Sequence, residues 1–195
     1  MKKHLITAVL YTAITGVFLG IIYPLVITGI AHVAFPSNSN GQLLYNANHE
    51  LIGSRIIGQP FSGPRYFHSR PSAAGTGYDA GSSSGSNLGP ASKALADRVQ
   101  SSVASEANSS AAPVPVDLVT ASGSGLDPDI TPAAAEYQIA RIAPLRSLTE
   151  AQLRTLVEAH TESRQFGFLG EPRVNVLTLN LALDNATATA TATQH

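Results

Sequence analysis

The sequence predicts an α+β domain carried behind a single N-terminal transmembrane helix. Three observations lead there. Leu5 to Phe35 contains no Asp, Glu, Lys or Arg, and about 20 apolar residues suffice to cross a bilayer core. Further along, three stretches repeat apolar residues at the spacing of one helix face. Between and after them lie short runs that alternate apolar with polar residues, the period of a strand.

The membrane helix comes first. The uncharged run is far longer than the roughly 7–15 apolar residues of a signal peptide, so it is read as retained. Lys2 and Lys3 precede it, and the first basic residue after it is Arg55. The positive-inside rule then places the N-terminus in the cytoplasm and the remainder outside the membrane. Thr12, Gly16 and Gly20 recur every four residues. Gly16 and Gly20 form the G-x-x-x-G spacing that lets a second helix backbone approach closely. Pro24 removes one helical hydrogen bond and predicts a kink.

Residues 36–184 are expected to form one domain. Pro36 to Gly41 is a polar break, and Gln42–Asn46 and Leu51–Ile57 read as a strand pair joined by Asn46 to His49. Pro60 to Pro90 is a long Gly/Ser/Pro segment whose first half holds Phe61, Arg65, Tyr66, Phe67, His68, Arg70 and Tyr78. Ala91–Ala107 reads as a helix with Leu95, Val99 and Val103 on one face. Val116–Thr120 reads as a short strand. Thr131 caps a second helix, with Pro132 at its first position, Ala135, Ile139 and Ile142 on its inner face and Pro144 as its stop. Thr149 and Gln152 form a capping box for a third helix to about Ser163, which buries Leu153, Leu156, Val157 and His160. Arg173–Leu183 is read as the best strand, because Leu177, Leu179, Leu181 and Leu183 alternate with Thr178, Asn180 and Ala182. The Ala/Thr tail 185–195 lacks packing capacity and is expected to be disordered.

Composition narrows the function. The chain has 195 residues, of which 13% are charged, about half the usual 25%. Lys+Arg 12 against Asp+Glu 13 leaves no basic excess for nucleic-acid phosphates. The absence of Cys excludes a disulfide scaffold and thiol chemistry.

The candidate chemical motifs are weak as patterns. Gly81-Ser82-Ser83-Ser84-Gly85 matches G-x-S-x-G, but a hydrolase elbow needs a strand before it and a helix after it. The six His residues show no metal-ligand spacing, so no metal is expected. Asp127 and Asp129 fit bonds to loop backbone better than half of a calcium loop. Thr120 to Gly125 could offer backbone N–H groups to an anion, yet it lacks the Lys of a phosphate-binding loop. Tyr66, Phe67, His68 and Arg70 concentrate aromatic and cationic groups of the kind that dock a partner.

Six segments in order then carry a resemblance: Ser54 to Gln59 with Phe61, Tyr66 to Ser72, Gly85 to Pro90, Val119 to Pro128, Gln138 to Arg141, and Gly170 to Asn180. With the membrane helix, the chain resembles the C subunit of the Kdp potassium-transporting P-type ATPase. The resemblance implies a bacterial inner-membrane complex that imports potassium with ATP. Its expected partners are a channel-like potassium-binding subunit, the P-type ATPase subunit and a small single-helix subunit. The C subunit is expected to be non-catalytic, to assemble the complex, and to act as a catalytic chaperone that raises the ATP affinity of the ATPase subunit. It would hold no cofactor of its own; the complex uses ATP and transports potassium. The family's proposed nucleotide contacts fall on Ser122, Gly123, Ser124, Gly125, Leu126, Asp127 and Gln138. The helix charges place these residues outside the membrane, away from ATP. Thr12, Gly16 and Gly20, with Tyr66, Phe67, His68 and Arg70, are the expected partner contacts. The alternative is a membrane-anchored extracytoplasmic hydrolase using the Ser-rich loop.

Overall fold

The computed structural model describes residues 1–46, 48–107 and 112–192. It divides into two units, Met1–Ile52 and Gly53–His195.

In the first unit, α1 (Lys2–Val17), a π-helical turn (Phe18–Ile22) and α2 (Tyr23–Ala34) form one helical run. The run is long and apolar enough to cross a membrane. The disturbance expected at Pro24 takes the form of that π turn, in which the Tyr23 N–H donates to Phe18 O. Pro24 has no N–H, and its ring crowds the carbonyl four residues earlier. Shifting the pairing by one residue just before it relieves both problems. The hydroxyls of Thr7 and Thr15 donate back to Lys3 O and Tyr11 O, so neither polar side chain is left bare within the helix. After α3 (Pro36–Ser39), β1 (Leu43–Tyr45) and β2 (Leu51–Ser54) pair as a small sheet. The Asn46 side chain accepts from the N–H groups of Asn48 and Glu50 and so shapes the turn. Ala47 of the expected loop lies outside the described residues.

The second unit is α+β, as expected, with different boundaries. α4 (Lys93–Glu106) buries no residue, so the face of Leu95, Val99 and Val103 is not core. Val116–Leu118 is a 3₁₀ turn rather than a strand. α5 (Pro132–Arg146) begins as read: the Thr131 hydroxyl accepts from the Ala134 N–H, and Ala135, Ile139 and Ile142 are buried. Pro144 does not stop it. The helix runs on to Arg146, whose side chain is fixed by tertiary contacts described below, and ends at Ser147 in the left-handed region. α6 (Glu150–Ala159) shows both halves of the Thr149/Gln152 capping box. It ends before Ser163 because β4 (Thr161–Glu162) follows at once.

The largest correction is at 173–192. Only β5 (Arg173–Asn175) is strand, and α7 runs from Val176 to Ala192. Asn175 caps the helix: its side-chain oxygen accepts from the Thr178 N–H at 3.1 Å. Val176, Leu179, Asn180 and Leu183 are buried at helical spacing, and Leu181 is only half-buried. A run of alternating Leu satisfies the strand period and the helix period together over this length. α7 also carries through 185–192, which the sequence reading leaves as disordered tail; residues 193–195 lie outside the described set.

β5 is the centre of a three-stranded antiparallel sheet in the order β3 (Asp129–Ile130), β5, β4. Val174 pairs with both Ile130 and Thr161. One core joins this sheet to α5, α6 and α7 through Ile130, Ile139, Ile142, Leu153, Val174, Leu179 and Leu183, with Phe67 inserted from the long loop. If α7 is a helix, Leu179→Ala should cost about 2–5 kcal/mol. Leu181→Ala should cost under half as much as Leu179→Ala. Thermal unfolding of the purified full chain measures both, and equal losses would restore the strand reading.

Candidate functional site

The segment from Pro64 to Ser72 runs without regular secondary structure, yet its middle is buried. Buried backbone N–H and C=O groups must find partners, or each costs about 1–3 kcal/mol. Here the partners are side chains. Gln138 and Asn180 are each only 1% exposed. Asn180 accepts from the Phe67 N–H at 2.9 Å and donates to Phe67 O at 3.0 Å. Gln138 accepts from the His68 N–H at 2.6 Å and donates to His68 O at 3.2 Å. Each amide side chain thus does what a neighbouring strand would do for one residue. An amide is the side chain that carries both a donor and an acceptor in one plane. The two clasps, from α7 and α5, hold successive residues and drive the Phe67 ring into the core.

Two arginines of α5 extend the grip. Arg141 donates to Pro64 O, to Tyr66 O at 3.1 Å and to Gln138 Oε1 at 2.8 Å. Burial lowers its pKa below the usual guanidinium value. Arg146 donates to Arg65 O at 2.8 Å, pairs with Asp184 at 2.7 Å, and lies over the Tyr66 ring, 4.4 Å from the centroid. Tyr66 packs in turn on Phe61, with ring centroids 5.8 Å apart. Among the expected partner-facing residues, Phe67 is therefore wholly buried, while Tyr66, His68 and Arg70 are half-buried.

The Ser-Gly loop is spent in the same way. The Gly125 N–H donates to Ser122 Oγ, and the Leu126 N–H to Ser124 Oγ. The Ser84 N–H and the Ser83 hydroxyl donate to Ser124 O, and the Ser72 hydroxyl donates to Gly125 O at 2.6 Å. Gly125 has φ +67°, and a Cβ there would lie 2.6 Å from both Ala74 N and Ser84 O. Glycine is required by conformation and by close approach together. Gly58 donates its N–H to Leu126 O, and a Cβ on it would lie 2.6 Å from Asp127 O. Residues 122–127 therefore stitch the 58–85 segment to the domain.

Asp127 accepts from the Asp129 N–H, as expected, and pairs with Arg70 at 2.9 Å. The sequence has no Lys or Arg between Val116 and Gln138; the Pro64–Ser72 segment, a strap over the core, brings Arg70, and Asp127 pairs with it. Asp117 accepts from the Thr131 N–H at 2.7 Å and so supports the start of α5. Burial raises the pKa of Asp129, against its bond from Asn175 and its pairing with Arg173. Burial likewise raises that of Tyr78, whose hydroxyl donates to Arg70 O. Gln138 joins the strap through His68, and its side-chain bonds among the described residues go to His68, Ala134 and Arg141.

Ser83 and Ser84 donate their hydroxyls to carbonyl oxygens, and their segment has neither flanking strand nor helix. This gives the hydrolase alternative no activated nucleophile. An open pocket of about 430 Å³ lies between the strap and α4, lined by Phe61, His68, Arg70, Tyr78, Ser105 and Glu106. In it His68 Nδ1 pairs with Glu106 at 3.0 Å. On the helix, Thr12, Gly16 and Gly20 are exposed, and a Cβ at either glycine would meet nothing within 4 Å.

Sequence reasoning missed Asn180, Arg141 and Arg146. A polar Asn inside a run of leucines was the available signal, but the strand reading placed it on the outer face. Asn180→Leu should destabilise the domain by about 2–6 kcal/mol, since it strands two backbone groups of Phe67. Chemical unfolding of the full chain checks this, and a loss under about 1 kcal/mol would show that the clasp is not needed.

Comparison with known proteins follows the same segments. Residues 5–185 match the family model KdpC, described as K+-transporting ATPase, c chain. A potassium-transporting ATPase KdpC subunit of Koribacter versatilis is 62% identical over 187 residues, covering 94% of this chain and 95% of that protein. The corresponding protein of Acidobacterium capsulatum is 61% identical, covering 93% and 98%. That of Methylococcus capsulatus is 54% identical, covering 94% and 96%. With a match spanning the helix, the strap, the Ser-Gly loop and most of α7, the chain belongs to the KdpC family.

Proposed function

We propose that the chain is a non-catalytic, membrane-anchored subunit of a potassium-transporting ATPase. The observation that supports it is family membership across a chain whose candidate polar loops are occupied internally. The complex would hydrolyse ATP and move potassium through its other subunits: a channel-like potassium-binding subunit, a P-type ATPase subunit and a small single-helix subunit. This chain would assemble and stabilise them as part of a hetero-oligomer in the bacterial inner membrane. Lys2 and Lys3 favour a cytoplasmic N-terminus and an extracytoplasmic domain. Thr12, Gly16 and Gly20 would meet a partner helix, and small residues allow the close backbone approach on which such pairs depend.

The chaperone role is taken as indirect. The side chains of Ser122, Asp127 and Gln138 are engaged within the domain, and Arg70 is paired with Asp127. A triphosphate calls for cations that are not already paired. Any effect on ATP affinity would then pass through assembly of the complex. Purification through a tag on this chain tests the reading. The eluate should contain the ATPase polypeptides and potassium-stimulated hydrolysis. Gly16→Leu with Gly20→Leu should lower that yield while the helix stays inserted. Gln138→Ala should also lower yield, yet leave the ATP concentration for half-maximal hydrolysis unchanged. A rise of roughly 10- to 150-fold, the loss expected for hydrogen bonds to a charged ligand, would return Gln138 to ATP contact. An eluate without ATPase polypeptides would overturn the subunit reading itself.

A further inference from the structure

The turn between β4 and β5 leaves its apolar side chains in solvent. Phe166 is 87%, Phe168 71% and Leu169 46% exposed, and the two phenylalanines are the most exposed aromatic side chains among the described residues. The turn is nonetheless built firmly. Gln165 and Leu169 exchange both backbone hydrogen bonds at 2.9 Å, and the N–H groups of Gly167 and Phe168 donate to Arg164 O and Gln165 O. Arg164 and Glu171 close its base at 2.5 Å. Phe166 and Gly167 hold φ +54° and +82°, the signature of a tight hairpin turn. A bulky residue rarely adopts that conformation, and here it is adopted with the ring facing water. A rigid projecting aromatic loses little freedom when it is captured.

We propose that this hairpin is a docking finger, seated in an apolar pocket on the extracytoplasmic surface of another subunit of the same potassium-transporting ATPase. This rests on the subunit reading above. Charge argues for a protein pocket over lipid. Residues 36–195 carry 10 basic and 13 acidic side chains with one Lys. Arg164, at the base of the finger, is neutralised by Glu171. Binding to an anionic bilayer surface uses unpaired Lys and Arg around the inserting residues. Area argues against a second copy of this chain. At about 200 Å² for a whole phenylalanine, the tip offers roughly 400 Å², half of the roughly 800 Å² per partner that a free-standing interface needs. So small a contact works as the second attachment of a chain already held elsewhere, because the tether keeps it at high effective concentration. The membrane helix of this chain is such a tether.

The test uses the full chain coexpressed with tagged ATPase subunits. A photocrosslinking benzoylphenylalanine at position 168 is irradiated in intact membranes, and the adduct is identified by mass spectrometry. An adduct with an ATPase subunit is expected. Phe166→Ser with Phe168→Ser should cut retention of the chain through detergent washing at least tenfold, with its thermal unfolding unchanged. An adduct with lipid, an adduct between two copies, or no adduct while the tag still recovers the chain would overturn the finger and leave the subunit reading standing. Failure of the tag to recover the unaltered chain would overturn the subunit reading, and the finger with it.

Discussion

A buried stretch of backbone without a neighbouring strand has to be paired by side chains. That requirement organises the Gly53–His195 unit. The Pro64–Ser72 strap sends Phe67 into the core, and each polar group that it brings inside needs a partner. Asn180 and Gln138 answer for Phe67 and His68, and Arg141 and Arg146 answer for the carbonyls before them. The consequences reach outward. Phe67 can be fully buried because its own N–H and C=O are both paired. α5 is held past Pro144 by the contacts of Arg146 to Arg65 and Asp184. Ser122–Asp127 then needs only to fasten the rest of the loop.

Much of this fold was legible in the sequence where one local interaction decides the structure. The Thr131–Pro132 start of α5 and the Thr149/Gln152 box are read correctly, because a cap is an encounter between residues three positions apart. The uncharged N-terminal run is read equally well as a helix long and apolar enough to cross a membrane. The reading fails where two periods coincide or where distant residues decide. The Leu177–Leu183 run fits a strand and a helix alike, and the deciding group is Asn175, whose capping bond to Thr178 converts three residues of strand into helix. Val116–Leu118 and the end of α5 fail for the second reason, as does the packing of α4. The clasps span more than a hundred residues in the case of Phe67 and Asn180, a separation that local spacing does not report.

The functional reading changes accordingly. The sequence offers Tyr66, Phe67, His68 and Arg70 as partner contacts, and the family resemblance implies nucleotide contacts at Ser122–Asp127 and Gln138. In the fold they are two halves of one internal fastening, joined by Arg70 and Asp127 and by Ser72 and Gly125. The surfaces proposed for partners are the helix face of Gly16 and Gly20 and the Phe166–Leu169 tip. That division suits a subunit whose work is to be held in place by others.

Hydrogen exchange at the amides of Phe67 and His68, measured on the full chain with and without ATP, tests the fastening most directly. Neither amide belongs to a helix or strand, so a loop without the clasps would exchange both within the range of mobile segments. The account expects both to be protected as strongly as the buried turns of α5 and α7, and ATP to leave residues 122–127 and 138 unchanged. Fast exchange at Phe67 and His68, or protection of 122–127 that appears only with ATP, would contradict it.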